Sequence, residues 1–144
     1  VANLKELSLA GQSLGQPGTQ ALAGGGYWRN LETLDLSGCN LAGSAVPFLC
    51  NTPNLPRLRR LVLEGNPLGD REVRALANAP QLSDLRELDL SGCHIGNEAL
   101  EYLAGSPFLA RLRWLGLRGT LATAWGRRLL YDSAHAHPQL VVEA

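Results

Sequence analysis

The chain has 144 residues, about one domain's worth of sequence. Its 13 Lys+Arg balance 13 Asp+Glu, so there is no electrostatic case for a nucleic-acid partner or a polybasic membrane anchor, and no apolar run approaches the length needed to span a bilayer. With 45% hydrophobic and 18% charged residues the composition is that of a globular chain, and three cysteines cannot make a closed disulfide framework.

Leucine fills 30 of the 144 positions, about twice ordinary usage. The chain opens at Val1 with neither an initiator Met nor a charged-then-apolar leader, so it is expected to be a fragment of a longer protein. The phrase LKELSLAGQSL begins at Leu4. It returns as LETLDLSGCNL at Leu31, LRRLVLEGNPL at Leu58, LRELDLSGCHI at Leu85 and LRWLGLRGTLA at Leu112, always at the same spacing. A fixed period of this kind marks a stacked repeat architecture.

Within each repeat a short strand comes first. The alternation in L-x-L turns Leu7/Leu9, Leu34/Leu36, Leu61/Leu63, Leu88/Leu90 and Leu115/Leu117 inward. Such strands are too short to stand alone and must pair with the equivalent strand of the next repeat, in parallel. A glycine follows at 11, 38, 65, 92 and 119, suited to the sharp turn where the chain leaves the sheet. Next come the column Gln12, Cys39, Asn66, Cys93, Thr120 and a second apolar column, Leu14, Leu41, Leu68, Ile95, Ala122.

The second half of each repeat reads as a helix. Val46/Leu49/Cys50, Val73/Leu76/Ala77 and Leu100/Leu103/Ala104 share one face at i, i+3, i+4. Asp70 stands where an N-cap belongs, and Pro53, Pro80 and Pro107 stop the helices. A last apolar column, Trp28, Leu55, Leu82 and Leu109, precedes the next strand. The two ends depart from the pattern. Repeat one carries Gly24-Gly25-Gly26-Tyr27-Trp28 and no cap, which leaves Leu7 and Leu9 beside an open edge. At the other end residues 120–144 read as a C-terminal cap. Its last unit is one residue longer, since Leu140 follows Leu112 by 28, and Val141 and Val142 are expected to form a final edge strand.

The shared pattern L-x-x-L-x-L-x-G-[N/C/Q/T]-x-L resembles the leucine-rich repeat family over nearly the whole chain. The 27-residue period with a full helix resembles the ribonuclease-inhibitor-like subclass, and also the Ala- and Arg-rich repeat arrays of large bacterial proteins. The resemblance implies an α/β solenoid, a right-handed β-α superhelix forming one domain over residues 1–144. A parallel sheet would line its concave face and helices its convex face. The resemblance also implies that the Gln12–Thr120 column points inward to satisfy turn backbone groups, and that the concave face docks partners.

Catalytic chemistry finds no support in the residues. No Ser, Cys or Thr nucleophile accompanies a plausible base, and Gly24–Gly26 lacks the Lys-Ser/Thr of a phosphate loop. Cys39, Cys50 and Cys93 all fall on columns that the repeat explains as buried, and reduced buried thiols point to a cytoplasmic, intracellular setting. His135 and His137, lacking nearby acidic or Cys ligands in sequence, read as a surface connector, and His94 as an exposed turn residue. Neither a metal nor a cofactor is expected.

What remains is the outward face of the strands. Its columns are Glu6, Thr33, Arg60, Glu87, Trp114; then Ser8, Asp35, Val62, Asp89, Gly116; then Ala10, Ser37, Glu64, Ser91, Arg118. From these, Glu6, Thr33, Asp35, Arg60, Val62, Glu64, Glu87, Asp89, Trp114 and Arg118 form the candidate partner-binding set. Arg60 and Glu87 should pair across the ladder. An exposed strand Trp is a costly surface choice, so Trp114 is either an interface anchor or packs on the C-terminal cap. The acidic middle is bordered by a basic rim led by Lys5, Arg59, Arg86 and Arg113, which suggests a polypeptide partner carrying some positive charge. That partner is another protein or another domain of the same protein. The alternative is an internal structural or regulatory arm with no external ligand. The sequence leaves oligomeric state open.

Overall fold

A computed structural model describes residues 3–144, apart from the side chains of Phe108 and Leu109. Strand and helix alternate along the chain: β1 (Glu6–Ser8), α1 (Gly15–Gly24), β2 (Thr33–Asp35), α2 (Val46–Asn51), β3 (Arg60–Val62), α3 (Asp70–Ala77), β4 (Glu87–Asp89), α4 (Asn97–Ala104), β5 (Trp114–Gly116), α5 (Ala124–Asp132) and β6 (Val141–Glu143). The six strands form one parallel sheet in chain order. Pro80 and Pro107, which end the helical pattern, each open a short 3-10 turn, Pro80–Leu82 and Pro107–Arg111. The fold is an α/β leucine-rich-repeat solenoid.

Three-residue strands can be this short because the register never slips. Leu7, Leu34, Leu61, Leu88, Leu115 and Val142 stand side by side on successive strands. From Leu34 to Leu115 each is buried, as are Leu36, Leu63, Leu90 and Leu117. Leu7 and Leu9 at the first edge are only half-buried. The helix faces close the other side of the core through Val46, Leu49, Cys50, Val73, Leu76, Ala77, Leu100 and Leu103. The turn glycines have φ between 57° and 75°, the left-handed region that side chains with a Cβ avoid. They stack so closely that a Cβ on Gly92 would lie 3.4 Å from Gly65 N.

The expected one-residue lengthening of the last unit does not extend to the strand. Val141 pairs with Trp114, the same offset that relates every earlier pair of strands. Gln139 takes the place of Leu112, and the buried Leu140 takes the place of Arg113. The inward column of turn residues is also uneven. Asn66 is buried and its Oδ1 accepts the backbone N–H groups of Cys39 (3.1 Å) and Leu41 (3.0 Å) in the preceding repeat. Its Nδ2 donates to the carbonyls of Leu36 (2.9 Å) and Leu63 (2.8 Å). The Cys39 and Cys93 thiols donate only to backbone carbonyls, Cys39 to Leu9 O and to Ser37 O of its own repeat, and Cys93 to Leu63 O. Gln12 is exposed, because no repeat precedes it among the described residues to offer it partners.

Asp70 is not the cap of its own helix. Gly69 holds that place, with its N–H donating to Glu72 Oε2 at 2.7 Å. Asp70 Oδ1 instead accepts from Gly96 N (2.8 Å) and Ala99 N (3.2 Å), so it caps α4 in the next repeat. Asn97 does the same for α5, accepting from Thr123 N at 2.9 Å. At the opposite helix ends, hydroxyls clasp carbonyls of the previous repeat: Thr52 to Ala23 O, Ser106 to Ala77 O and Ser133 to Ala104 O.

Both kinds of inter-repeat bond can be tested by removal. Asn66→Ala leaves four buried backbone groups without their side-chain partner and should lower unfolding free energy by about 3 kcal/mol or more in urea titration. Asp70→Ala should cost about 1 kcal/mol. In amide exchange it should expose Gly96 and Ala99 while leaving the amides within α3 protected; loosening of α3 instead would refute the inter-repeat cap.

Candidate functional site

The outward strand face divides into two ends of different character. At the β1–β3 end, Glu6, Ser8, Thr33, Asp35, Arg60 and Val62 line a depression of about 380 Å³. Val62 is its floor. This residue is 7% exposed, not the projecting contact its outward column suggested, and stands between Asp35 and Asp89 on the adjacent strands.

The charges around the floor are unequally available. Asp35 is held by its own strand end: Ser37 donates both its N–H (2.9 Å) and its hydroxyl to Oδ1, and the Ser8 hydroxyl reaches Oδ2 at 3.3 Å. Partial burial raises its pKa, but these hydrogen bonds and the nearby Arg60 guanidinium outweigh that and leave the carboxyl below its ordinary value. Asp89 repeats the arrangement, accepting Ser91 N–H at 3.0 Å. The middle column thus caps the exits of β2 and β4. The sequence signal for this was present as D-L-S at 35–37 and 89–91, an Asx-type turn spacing. Arg60 and Glu87 pair at 3.3 Å as expected, with 55% and 47% of their side chains exposed, so the pair adds at most about 1 kcal/mol. Glu6 and Glu64 are exposed, with no side-chain partner among the described residues.

The β5–β6 end is closed by Glu143. Its carboxylate accepts from Trp114 Nε1 at 3.2 Å and also pairs with Arg118. The Trp114 ring lies over Gly116, where an added Cβ would come within 2.6 Å of it. Trp114 is therefore half-buried against the last strand, and Arg118 is drawn to the same carboxylate. Thr33 and Glu87 are half-buried on the open part of the face.

Elsewhere the chain offers little chemistry. Burial pushes the Cys50 and Cys93 thiols up to about 11 and also raises Cys39, which disfavours the reactive thiolate. His137 Nδ1 accepts Gln139 N–H at 3.0 Å, while His135 and His94 are exposed. Among the described residues no cluster of His, Cys, Asp and Glu could hold a metal ion, and no helix is long and apolar enough to cross a membrane. A cavity of about 30 Å³ under α3 and α4 is lined by leucines, Ala77 and Ser106, and is a packing gap in the core.

Family models described as leucine-rich repeats match residues 30–52 and 81–104. No curated protein matches the sequence. Among solved structures, the tropomodulin C-terminal domain of Caenorhabditis elegans is similar over 92% of this chain and 83% of that chain, with a TM-score of 0.70 at 17% identity. That likeness speaks to the fold alone. An internalin from Listeria monocytogenes aligns with 97% of this chain and 60% of that chain at 15% identity, but a TM-score of 0.30 carries no weight.

The lowered Asp35 pKa has a testable sign. Stabilisation from the ionised carboxylate is present above the unfolded value of 3.8 and is lost as pH falls through the lower folded value. Asp35→Asn should therefore be less stable than the parent at neutral pH, with the gap shrinking below pH 3.8 in pH-dependent melting. A gap independent of pH would disprove the assignment.

Proposed function

We propose that this leucine-rich-repeat solenoid is a non-enzymatic interaction module, a single domain over residues 1–144 closed by a C-terminal cap at 120–144. It docks a polypeptide on its concave strand face. Leucine-rich-repeat domains generally mediate protein–protein interaction. The observation that carries the reading is the depression over Val62, bordered by the Ser8 and Thr33 hydroxyls, the unpaired Glu6, Asp35 and an Arg60 whose charge is already paired with Glu87. Such a site suits a side chain with an apolar stem and a cationic head, Lys or Arg, from the partner. Glu64, Glu87 and Asp89 extend the same acidic surface along the sheet, while Trp114 and Arg118 border its far end. The ribonuclease-inhibitor-like subclass is part of the proposal, supported by strands that pair at one constant offset and helices of six to ten residues in five repeats.

A photo-crosslinking amino acid at Thr33 tests the reading against one at Glu101 on the helical side. Incubated with extract from the source organism, the Thr33 probe should give discrete polypeptide adducts that the Glu101 probe does not. Adding Glu6→Lys should weaken formation of those adducts about tenfold, equivalent to about 1.4 kcal/mol. Adducts equally abundant from both probes, or insensitive to Glu6→Lys, would remove the concave face from the account.

A further inference from the structure

The hydrogen-bond ladder runs one residue beyond the amino-terminal ends of the strands. Arg59 N donates to Glu32 O at 2.9 Å, Arg86 N to Arg59 O at 2.8 Å and Arg113 N to Arg86 O at 2.7 Å. Arg59, Arg86 and Arg113 therefore stand on consecutive rungs, about 4.8 Å apart along the sheet. Arg57 lies beside them, two residues before Arg59. None of these four makes an ion pair among the described residues, whereas Lys5, Arg60 and Arg111 nearby are paired with Glu32, Glu87 and Asp84. Arg57, Arg59 and Arg86 are exposed, and Nη1 of the half-buried Arg113 is buried with no hydrogen-bond partner. Like charges on adjacent rungs repel and destabilise a sheet. The chain nevertheless sets three guanidinium groups in a row while its unpaired carboxylates, Glu6 and Glu64, lie on the neighbouring face.

We propose that this arginine row binds an acidic polypeptide segment, whose carboxylates would supply the paired acceptors that guanidinium groups favour. The row does not widen into a broad basic field, because the cations beside it, Lys5, Arg60 and Arg111, are already paired with Glu32, Glu87 and Asp84. Trp114, which follows Arg113 in the chain, is tied to Glu143 rather than open for base stacking. A short acidic peptide fits that strip better than a nucleic acid. The inference rests on the reading of the chain as a protein-binding module, but it uses a surface separate from the Val62 depression.

Fluorescence anisotropy of labelled decaglutamate at low salt tests it. The parent should bind saturably, and more weakly as salt rises. Arg59→Glu/Arg86→Glu should weaken binding at least about tenfold, with Arg59→Gln/Arg86→Gln in between. The charge-matched control on α3, Arg71→Glu/Arg74→Glu, should change it less than about twofold. Melting curves for each variant identify any that fail to fold, and the glutamine pair serves if the reversal does. No binding by the parent, equal weakening by the control, or equally tight binding of an oligothymidylate of the same charge would overturn the proposal. Glu6→Lys should leave decaglutamate binding intact or stronger, so failure of the depression and failure of the row are distinguishable.

Discussion

No repeat of this chain is stable without its neighbour. A three-residue strand makes too few hydrogen bonds to offset the entropy of ordering it, and one helical turn or two cannot bury its apolar face alone. The structure answers with strict registration: strand on strand, glycine turn on glycine turn, helix on helix, all displaced by one repeat length. Asn66 shows the dependence most sharply. Most of its bonds go to the repeat before its own, so one side chain joins two units in both hydrogen-bonding directions.

The periodic part of this arrangement was legible in the sequence. Inward leucines, left-handed glycines, helix faces, the Arg60–Glu87 pair and the final strand all depend on which rung a residue occupies, and the repeat numbers the rungs. What escaped depends on where a side chain turns once the rung is fixed. Asp70 satisfies every local criterion for an N-cap, yet its carboxylate serves the helix of the next repeat. Thr52, Ser106 and Ser133 look like ordinary turn residues until the carbonyl 29 positions earlier is seen beside each. Val62 shares a column with two aspartates and so reads as outward. It is nevertheless buried, and depth is not written in an alternation pattern.

Electrostatics separates groups that look alike in the sequence. Residue types alone put several acids on the face, but Asp35, Asp89 and Glu143 are engaged by the protein's own donors. A carboxylate already holding an N–H or an indole has less to offer a partner than an unpaired one. The balance of 13 cations and 13 anions in the whole chain likewise conceals their separation. Several acids of the face are engaged internally while arginines accumulate unpaired along one border, so zero net charge coexists with a surface of strong local sign.

The side-chain clasps between helices are not evenly distributed. Thr52 joins the first two repeats, Ser106 and Asp70 the third and fourth, and Ser133 and Asn97 the fourth and fifth. Between the second and third repeats the matching positions are Gly43 and Ala79, which have no side chain able to reach across, and α2 is the shortest helix. Glu72 fills the space above Gly43 but turns back to Gly69 of its own repeat. Asn66 still fastens that junction beside the sheet. Among the described residues this joint is fastened by the Asn66 side chain near the strands and, behind them, by apolar packing of α2 on α3. It lies beneath the depression, whose walls come from β1 and β2 on one side of the joint and β3 on the other. The packing of α2 on α3 thus sets, from behind the sheet, how those walls are spaced.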